Sequence, residues 1–318
     1  MANLNKLFSK FNDKITLTSA KSNSLKKSRD ALRADIKKWF SDKGKLQPKF
    51  CWQGSYAMKT VVNPLGDKEY DLDDGVYIQG YEDQDMDDWV SATTVHSWIK
   101  DAVHDRTQID TIDKNTCVRV PYAAGYHIDL PMYICKGDVA YLAHKSNGWT
   151  ESDPKAFKDW FVGKVVSSEY GEQLRSIVKY LKAWRDYKSI PLKGIEITIL
   201  ATNSFDKYTD RDDKSLRNTV EDIISCLEED FSCVKPVAPG EDLFDGASET
   251  KKTTIISGFK SLKETLDKAI VEDDEKKASE YLRKSFGDRF PLGETTSNQA
   301  CYAASVMPGV LKNDGRSA

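Results

Sequence analysis

Two short stretches in the first quarter of the chain constrain its fold most strongly: a glycine–serine turn, and a strand-like run that carries alternating aspartates. The turn is Gly54-Ser55, and the aspartates are Asp71 and Asp73. Side chains alternate across a β-strand, so both carboxylates are predicted to project from one face while their apolar neighbours occupy the other. A phosphate-sized opening beside two parallel carboxylates is what the binding of a nucleoside triphosphate through magnesium requires.

A third carboxylate follows in a later strand-like segment. Residues 117–122 and 126–134 both read as strands, and the three residues between them suit a hairpin turn. Asp129 lies within the second, apolar run, where a lone acid is costly to bury unless something compensates it. If this strand lies beside that of Asp71 and Asp73, three carboxylates converge, and cations must neutralise them. Carboxylate oxygens favour magnesium or manganese, and two such ions can support in-line phosphoryl transfer.

The bulk properties favour a cytoplasmic protein with a small substrate. The chain has 318 residues, of which 39% are hydrophobic and 31% charged, and its apolar runs are too short to span a membrane. Its start carries no apolar segment of the signal-peptide kind. The net charge of −3, with dispersed lysines and arginines, argues against long nucleic acid as the substrate. Six cysteines without a Cys-x-x-Cys pair are interpreted as reduced core residues.

Hydrophobic periodicity divides the chain into an α/β half and a helical half. Helices are predicted over residues ~18 to 42 and ~91 to 104, and a loop over residues 145–154 precedes a series of amphipathic helices. The predicted domains are residues 1–150, 151–290 and a mobile, small and polar tail over 291–318. Ligand sites favour junctions between such halves.

The residue sequences of these motifs resemble those of a known family. The segments Gln53-Gly54-Ser55-Tyr56, Asn63-Pro64-Leu65 and Tyr70 to Tyr77, with Asp129 on a later strand, resemble the DNA polymerase beta-like nucleotidyltransferases. Within that superfamily they are closest to the bacterial cGAS/DncV-like nucleotidyltransferases (CD-NTases). The resemblance implies an α+β fold, with a polymerase beta-like core of mixed sheet and helices, a helical C-terminal lobe, and the active site in the cleft between these two lobes.

The resemblance also implies roles for individual residues. Asp71, Asp73 and Asp129 would be the catalytic acids and the ligands of two Mg²⁺ ions, for which Mn²⁺ could substitute. Gly54 and Ser55 would hold the terminal phosphates of the nucleotide.

Three further residues are nucleotide-binding candidates. Lys179 matches a lysine that the family uses against the donor triphosphate, and Lys182 is the alternative. Gln53 could either touch the nucleotide or support the backbone of the turn.

The implied activity is the joining of nucleoside triphosphates, ATP and/or GTP, into a cyclic oligonucleotide. Such a product would activate a downstream effector in anti-phage (CBASS) signalling. An activating partner, or a protein conjugated to the C-terminal tail, is also implied. Two alternatives stay open: a linear nucleotidyltransferase that acts on an RNA, protein or small-molecule acceptor, and a non-catalytic nucleotide sensor of the same fold.

Other conspicuous residues have structural interpretations beside functional ones. Asp74 faces away from its acidic neighbours and is predicted to cap a loop. His127 shares a face with Asp129 and is predicted to pack in the core or at an edge. Four aromatic side chains could stack on a base but are predicted to be core residues: Tyr126, Tyr133, Trp184 and Tyr208.

Overall fold

The computed structural model describes residues 3–66 and 68–295, and the strands in this part of the chain, which lie between residues 49 and 151, form one mixed β-sheet. The strands run in the order β3-β4-β5-β2-β6-β7-β8, and β1 also pairs with β2. Their bounds are β1 Lys49–Gln53, β2 Tyr70–Tyr77, β3 Ile112–Asp113, β4 Val118–Tyr122, β5 Tyr126–Leu130, β6 Met132–Lys136, β7 Val139–His144 and β8 Gly148–Glu151.

Strand β2, which carries Asp71 and Asp73, lies at the centre of this sheet. On one edge it pairs in parallel with β5 and then, in the same register, with β6, whereas β1 pairs antiparallel with it on the other edge. The predicted strand over 126–134 is therefore two strands, separated at Pro131. Proline has no N–H to donate to a ladder, although the Pro131 carbonyl still accepts from the N–H of Val76 at 2.8 Å, so the pairing with β2 continues along the same edge.

The prediction of a loop over residues 145–154 was wrong in part. Gly148–Glu151 forms β8, which pairs antiparallel with β7. The strand is held from outside the hairpin as well, because the indole of Trp149 donates to the carbonyl of Val90 at 2.9 Å.

Ten α-helices occur in the described residues, and most belong to the second half. Two predicted ones match closely: α2 is capped by Thr18, and α4 is capped by Ser91. The helices are α1 Asn5–Ile15, α2 Ser19–Asp42, α3 Gly54–Ala57, α4 Ala92–Val103, α5 Pro154–Val166, α6 Gly171–Lys188, α7 Gly194–Asn203, α8 Asp212–Glu229, α9 Glu249–Val271 and α10 Glu275–Phe286. No helix in the described ranges has the length and apolar character that crossing a bilayer requires.

Two hydrophobic cores match the two halves, except at the N-terminus. One core joins α2 and α4 to the sheet, and the other joins α5–α10. Helix α1 packs in the second core, where Phe8 and Phe11 contact Tyr180 and Phe290. Residues 5–15 therefore lie with the helical lobe, although the predicted division at residue 150 grouped them with the sheet.

The cysteines only partly match the interpretation of reduced core residues. All five in the described part of the chain are free, and Cys117 and Cys233 are buried. Cys226 is exposed on α8, whereas Cys301 lies outside the described residues. Most of the predicted tail, from residue 296 to the end at Asp314 to Ala318, also lies outside them.

Candidate active site

The glycine–serine turn joins β1 to the short helix α3 and presses directly against Asp73. Gly54 has a backbone φ of +65°, which residues with a Cβ atom rarely adopt. A Cβ on this residue would lie 2.1 Å from the Asp73 Oδ2 atom. Glycine is required here twice, because both the backbone angle and the space exclude a side chain.

Asp71 and Asp73 lie on the same face of β2, as predicted, and line a cavity of about 360 Å³ between the two lobes. Tyr70 and Leu72 point the other way, into the core of the sheet. The α/β half contributes Ser55 to the cavity wall beside the two aspartates, and the helical half contributes Phe157, Lys182 and Lys235. A second cavity of about 280 Å³ adjoins the first and shares Ser55, Asp71 and Lys182 with it. These volumes suit small-ligand sites.

Asp129 is the neighbour of Asp73, but its carboxylate is engaged elsewhere. Strand pairing aligns Arg119, Asp129 and Asp73 in one row across β4, β5 and β2. Aligned residues project from the same face of a sheet. Both oxygens of Asp129 accept from Arg119, at 2.7 and 2.8 Å. Within residues 3–66 and 68–295, no three acidic, histidine or cysteine side chains are gathered closely enough to hold a metal ion.

The electrostatics of the row nevertheless favour a cation. Burial raises the pKa of Asp73 well above its usual range, and the charges of Asp71 and Asp129 raise it further, while Arg119 opposes the shift. The hydrogen bond to Asp129 raises the pKa of the Arg119 guanidinium. Two adjacent carboxylates that repel each other in this way fit a hard divalent ion. Asp71 and Asp73 therefore fit magnesium as they stand, and Asp129 fits it once released from Arg119.

Of the two candidate lysines, the structure brings Lys182 to the carboxylates. Its ammonium donates to the carbonyl and the hydroxyl of Thr60, at 3.2 and 3.0 Å, and its side chain lines both cavities. Burial lowers its pKa to about 8. Lys179, the first choice from the sequence, instead donates to the Thr16 hydroxyl at 2.9 Å, beyond the end of α1.

Gln53 is the last residue of β1 and lies directly before the glycine–serine turn. It is 5% exposed and lies opposite Asp73 in the strand pairing. Its Nε2 donates to the Tyr133 hydroxyl at 2.9 Å, whereas its Oε1 is buried and accepts no hydrogen bond from the described residues. Gln53 also contributes to the cavity wall, so both interpretations of this residue fit its position.

Asp74 and His127 both have structural partners. The carboxylate of Asp74 is fully buried and pairs with Arg33 of α2, so the predicted loop cap was wrong. A buried acid needs a cation, and α2 supplies one from 41 positions earlier in the chain. His127 is 2.7 Å from the carboxylate of Glu69. Its buried position agrees with the predicted packing role.

Three of the four aromatic residues are core residues, as predicted. Tyr126, Tyr133 and Trp184 are buried, but Tyr208 is 39% exposed. It lies before α8, where Lys214 approaches its ring.

Among the residues at the site that were not identified from the sequence are three charged ones, Asp153, Lys235 and Arg119. Asp153 and Lys235 both line the cavity. Asp153 also caps α5, and Lys235 pairs with Glu241 at 2.9 Å. No local pattern distinguishes these two from surface residues. Arg119 did carry a signal, because it is a charged residue between Val118 and Val120 in an apolar strand. The reasoning that selected Asp129 applies equally to it.

This architecture defines the class of protein. A mixed sheet presents two aspartates beside a glycine–serine turn, and a helical lobe closes the cleft. The same fold occurs in the Vibrio cholerae cyclic AMP-GMP synthase DncV in complex with the linear intermediate 5′ pppA(3′,5′)pG. That structure matches with a TM-score of 0.76 and 19% identity, over 92% of this chain and 99% of the other. The fold is that of the polymerase beta-like nucleotidyltransferases.

Sequence comparison narrows the class to a family. The nucleotidyltransferase-domain profile of cyclic GMP-AMP synthase DncV-like proteins matches residues 48–133, and the cyclic GMP-AMP synthase C-terminal domain profile matches residues 171–299. The chain therefore belongs to the bacterial cGAS/DncV-like nucleotidyltransferases.

Two cyclic GMP-AMP synthases illustrate the similarity. The one from Escherichia albertii is 28% identical over 57% of this chain, and the match spans only 42% of that protein. The one from Vibrio cholerae is 24% identical over 83% of this chain and 71% of its own length.

Proposed function

We propose that the protein is a cyclic dinucleotide synthase that joins two nucleoside triphosphates, with ATP and GTP as the substrates. The observation that carries this proposal is the contact of the Gly54 turn with Asp73, in a cavity that also contains Asp71 and Lys182. The turn brings phosphate-binding groups to carboxylates that can hold a cation. The related Vibrio cholerae enzyme binds a linear intermediate that contains adenosine and guanosine, which supports the choice of bases.

In the proposed reaction, a ribose hydroxyl oxygen of one nucleotide bonds to the α-phosphorus of another. The bond from that phosphorus to pyrophosphate breaks, and the hydroxyl proton is released. A second such step closes the ring. Magnesium held by Asp71 and Asp73, with Asp129 as a further ligand, would stabilise the triphosphate charge and lower the pKa of the attacking hydroxyl.

The chain's own groups position the reactants. The absent side chain of Gly54 lets the backbone approach the phosphates, and the Ser55 hydroxyl can donate to a phosphate oxygen. The Lys182 ammonium reaches the cavity from α6 and would neutralise part of the triphosphate charge. Manganese could replace magnesium. By family resemblance, the cyclic product would act on a downstream effector in anti-phage defence.

The test is product formation by the purified protein. With mixed nucleoside triphosphates and Mg²⁺ or Mn²⁺, we expect a phosphatase-resistant product, identified by mass spectrometry. Asp71→Asn combined with Asp73→Asn should reduce the rate by on the order of 10²-fold or more, the effect of losing one electrostatic stabiliser.

A matched control removes two other acids from the surface. Asp83 lies in a turn and Asp87 in a short 3-10 helix, both are exposed, and changing both to Asn should leave the rate unchanged. Unaltered turnover in the Asp71 and Asp73 variant would exclude the proposed site. Phosphatase-sensitive products would identify a linear nucleotidyltransferase, and nucleotide binding without turnover under activating conditions would identify a sensor.

A further inference from the structure

Asp129 and Arg119 form a two-pronged ion pair at the site. The Nε of Arg119 lies 2.7 Å from Oδ1 of Asp129, and its Nη2 lies 2.8 Å from Oδ2. Both side chains are largely shielded from solvent: 23% of the Arg119 side chain and 12% of the Asp129 side chain are exposed. Bidentate pairs of this kind are among the strongest hydrogen-bonded contacts in proteins.

This ion pair conflicts with metal binding by all three acids. A cation shared by Asp71, Asp73 and Asp129 needs an oxygen of Asp129, and Arg119 donates to both oxygens and holds a positive charge beside them that would repel the cation. The described residues contain no group of three acidic, histidine or cysteine side chains in position to hold a metal. The strand pairing still aligns Asp129 with Asp73, so only the side chains need to move.

Arg119 also has a clear role before a cation arrives. Arg119, Asp129 and Asp73 form one partly buried row across three strands. Without Arg119, the two carboxylates in this row would be adjacent and the row would contain no positive charge. The guanidinium places a positive charge at the end of that row. The same contact therefore stabilises the metal-free protein and competes with the metal.

We propose that Arg119 is the counter-ion of Asp129 in the metal-free protein, and that its ion pair must open before a divalent cation can bind all three acids. The inference rests on the proposed function, because it takes the three aspartates as the metal site. Arg119 is then a positioning residue that acts through Asp129. Its ion pair determines the cation concentration at which Asp129 binds the cation together with Asp71 and Asp73.

The experiment measures Mn²⁺ binding to the full chain by calorimetry, together with the melting temperature with and without Mn²⁺. Arg119→Gln removes the competing charge, so it should tighten Mn²⁺ binding by about tenfold or more, the factor expected for losing a strong charge-assisted contact. The metal-free variant should melt at a lower temperature than the wild type, and its Mn²⁺-induced rise in melting temperature should be larger.

The control is the same substitution in an Asp129→Asn background. There the ion pair is already lost, so Arg119→Gln should change Mn²⁺ affinity by less than about twofold. An equal gain in both backgrounds would show a general charge effect and overturn the proposal. Unchanged or weaker binding in the single variant would overturn it as well.

Arg119→Lys provides a second variant if Arg119→Gln does not fold. It keeps the charge but lacks the two-pronged geometry, so a smaller gain that still depends on Asp129 is expected. Failure of the proposed function is separable from failure of this inference. If the protein makes no cyclic product but Arg119→Gln tightens Mn²⁺ binding only when Asp129 is present, the role of Arg119 stands and the synthase proposal fails. If it makes the cyclic product but shows no such gain, the synthase proposal stands and the role of Arg119 fails.

Discussion

At the scale of single residues, Gly54 shows how closely the turn and the acids fit together. The turn and the Asp-x-Asp strand are separated by 15 residues of chain, yet their atoms meet with no room for a methyl group between them. Such contact fixes the position of Asp73 relative to the backbone of the turn. Preorganised geometry of this kind gives electrostatic catalysis much of its effect.

Gly54→Ala tests this contact. The Cβ would meet the Asp73 carboxylate, so we expect the turn to shift and nucleotide affinity to fall by at least about tenfold, with a stability loss of roughly 1–3 kcal/mol from the strained backbone. Affinity can be measured with a non-hydrolysable GTP analogue, and stability by urea denaturation.

Gly44→Ala is the matched control for that variant. Gly44 has nearly the same φ, +63°, and a Cβ on it would have no atom of the described residues within 4 Å beyond its own chain neighbours. It should therefore lose a similar amount of stability and keep its nucleotide affinity. Equal loss of affinity in both variants would mean that backbone strain, and not the contact with Asp73, is responsible.

At the scale of secondary-structure elements, α2 is joined to the central strand by a buried charge pair. Arg33 donates to Asp74 from its Nε at 2.6 Å, and Asp74 is fully buried. Burial raises the pKa of Asp74, while Arg33 lowers it. The helix therefore neutralises the one acid of the run that points away from the cleft.

Replacing Arg33 while Asp74 is kept should lower the free energy of unfolding. Arg33→Met leaves the buried carboxylate unpaired, and we expect a loss of about 3 kcal/mol in the free energy of unfolding, measured in urea. Adding Asp74→Asn should restore most of that loss. Lys38→Met is the control, because Lys38 pairs with Asp42 at the exposed surface of the same helix and should cost under about 0.5 kcal/mol. A loss in the double variant equal to that of Arg33→Met would contradict the role assigned to the charge pair.

Local patterns predicted the elements better than their partners. Alternation in residues 70–77 was enough to place Asp71 and Asp73 on one face and Asp74 on the other, because that periodicity is a property of any strand. Arg33 could not be assigned as a partner, since α2 reaches the site through tertiary packing. Arg119 lies in the predicted hairpin with Asp129, but its role as the partner follows only from the strand register that the structure shows. The choice of Lys182 over Lys179 likewise depends on how α6 lies against residues 58–63.

At the scale of the whole molecule, α6 connects the lobes through that same segment. Arg175 donates to the Met58 carbonyl at 3.2 Å, and Lys182 donates to Thr60. Arg289 adds a bond to the Asn63 carbonyl at 2.7 Å. The segment that follows the glycine–serine turn is thus held by the helical lobe, so movement between the lobes would move the site.

Lys182 should make stability depend on pH. Its folded pKa is about 8, because of burial, whereas an unfolded lysine titrates near about 10.4. Between these values the unfolded chain binds the extra proton, so stability rises with pH through this window. Relative to Lys182→Met, the wild type should gain about 2 kcal/mol between about pH 7 and about pH 9.5.

Urea denaturation of both proteins across this range measures the difference. Lys188→Met, at the exposed end of the same helix, is the control and should follow the wild type. Parallel pH profiles for wild type and Lys182→Met would show that Lys182 keeps its proton in the folded protein, contrary to the expectation.

The three-residue turn between β4 and β5 has a consequence for the cleft although it is exposed to solvent. Its length aligns Tyr122 with Tyr126, and Gly125 turns the chain with φ +76°. Because side chains alternate along a strand, a shift of one position in this hairpin would carry Arg119 to the opposite face from Asp129. The length of a surface loop therefore determines which charge faces the third aspartate, and insertions or deletions there would act on the chemistry of the site without touching it.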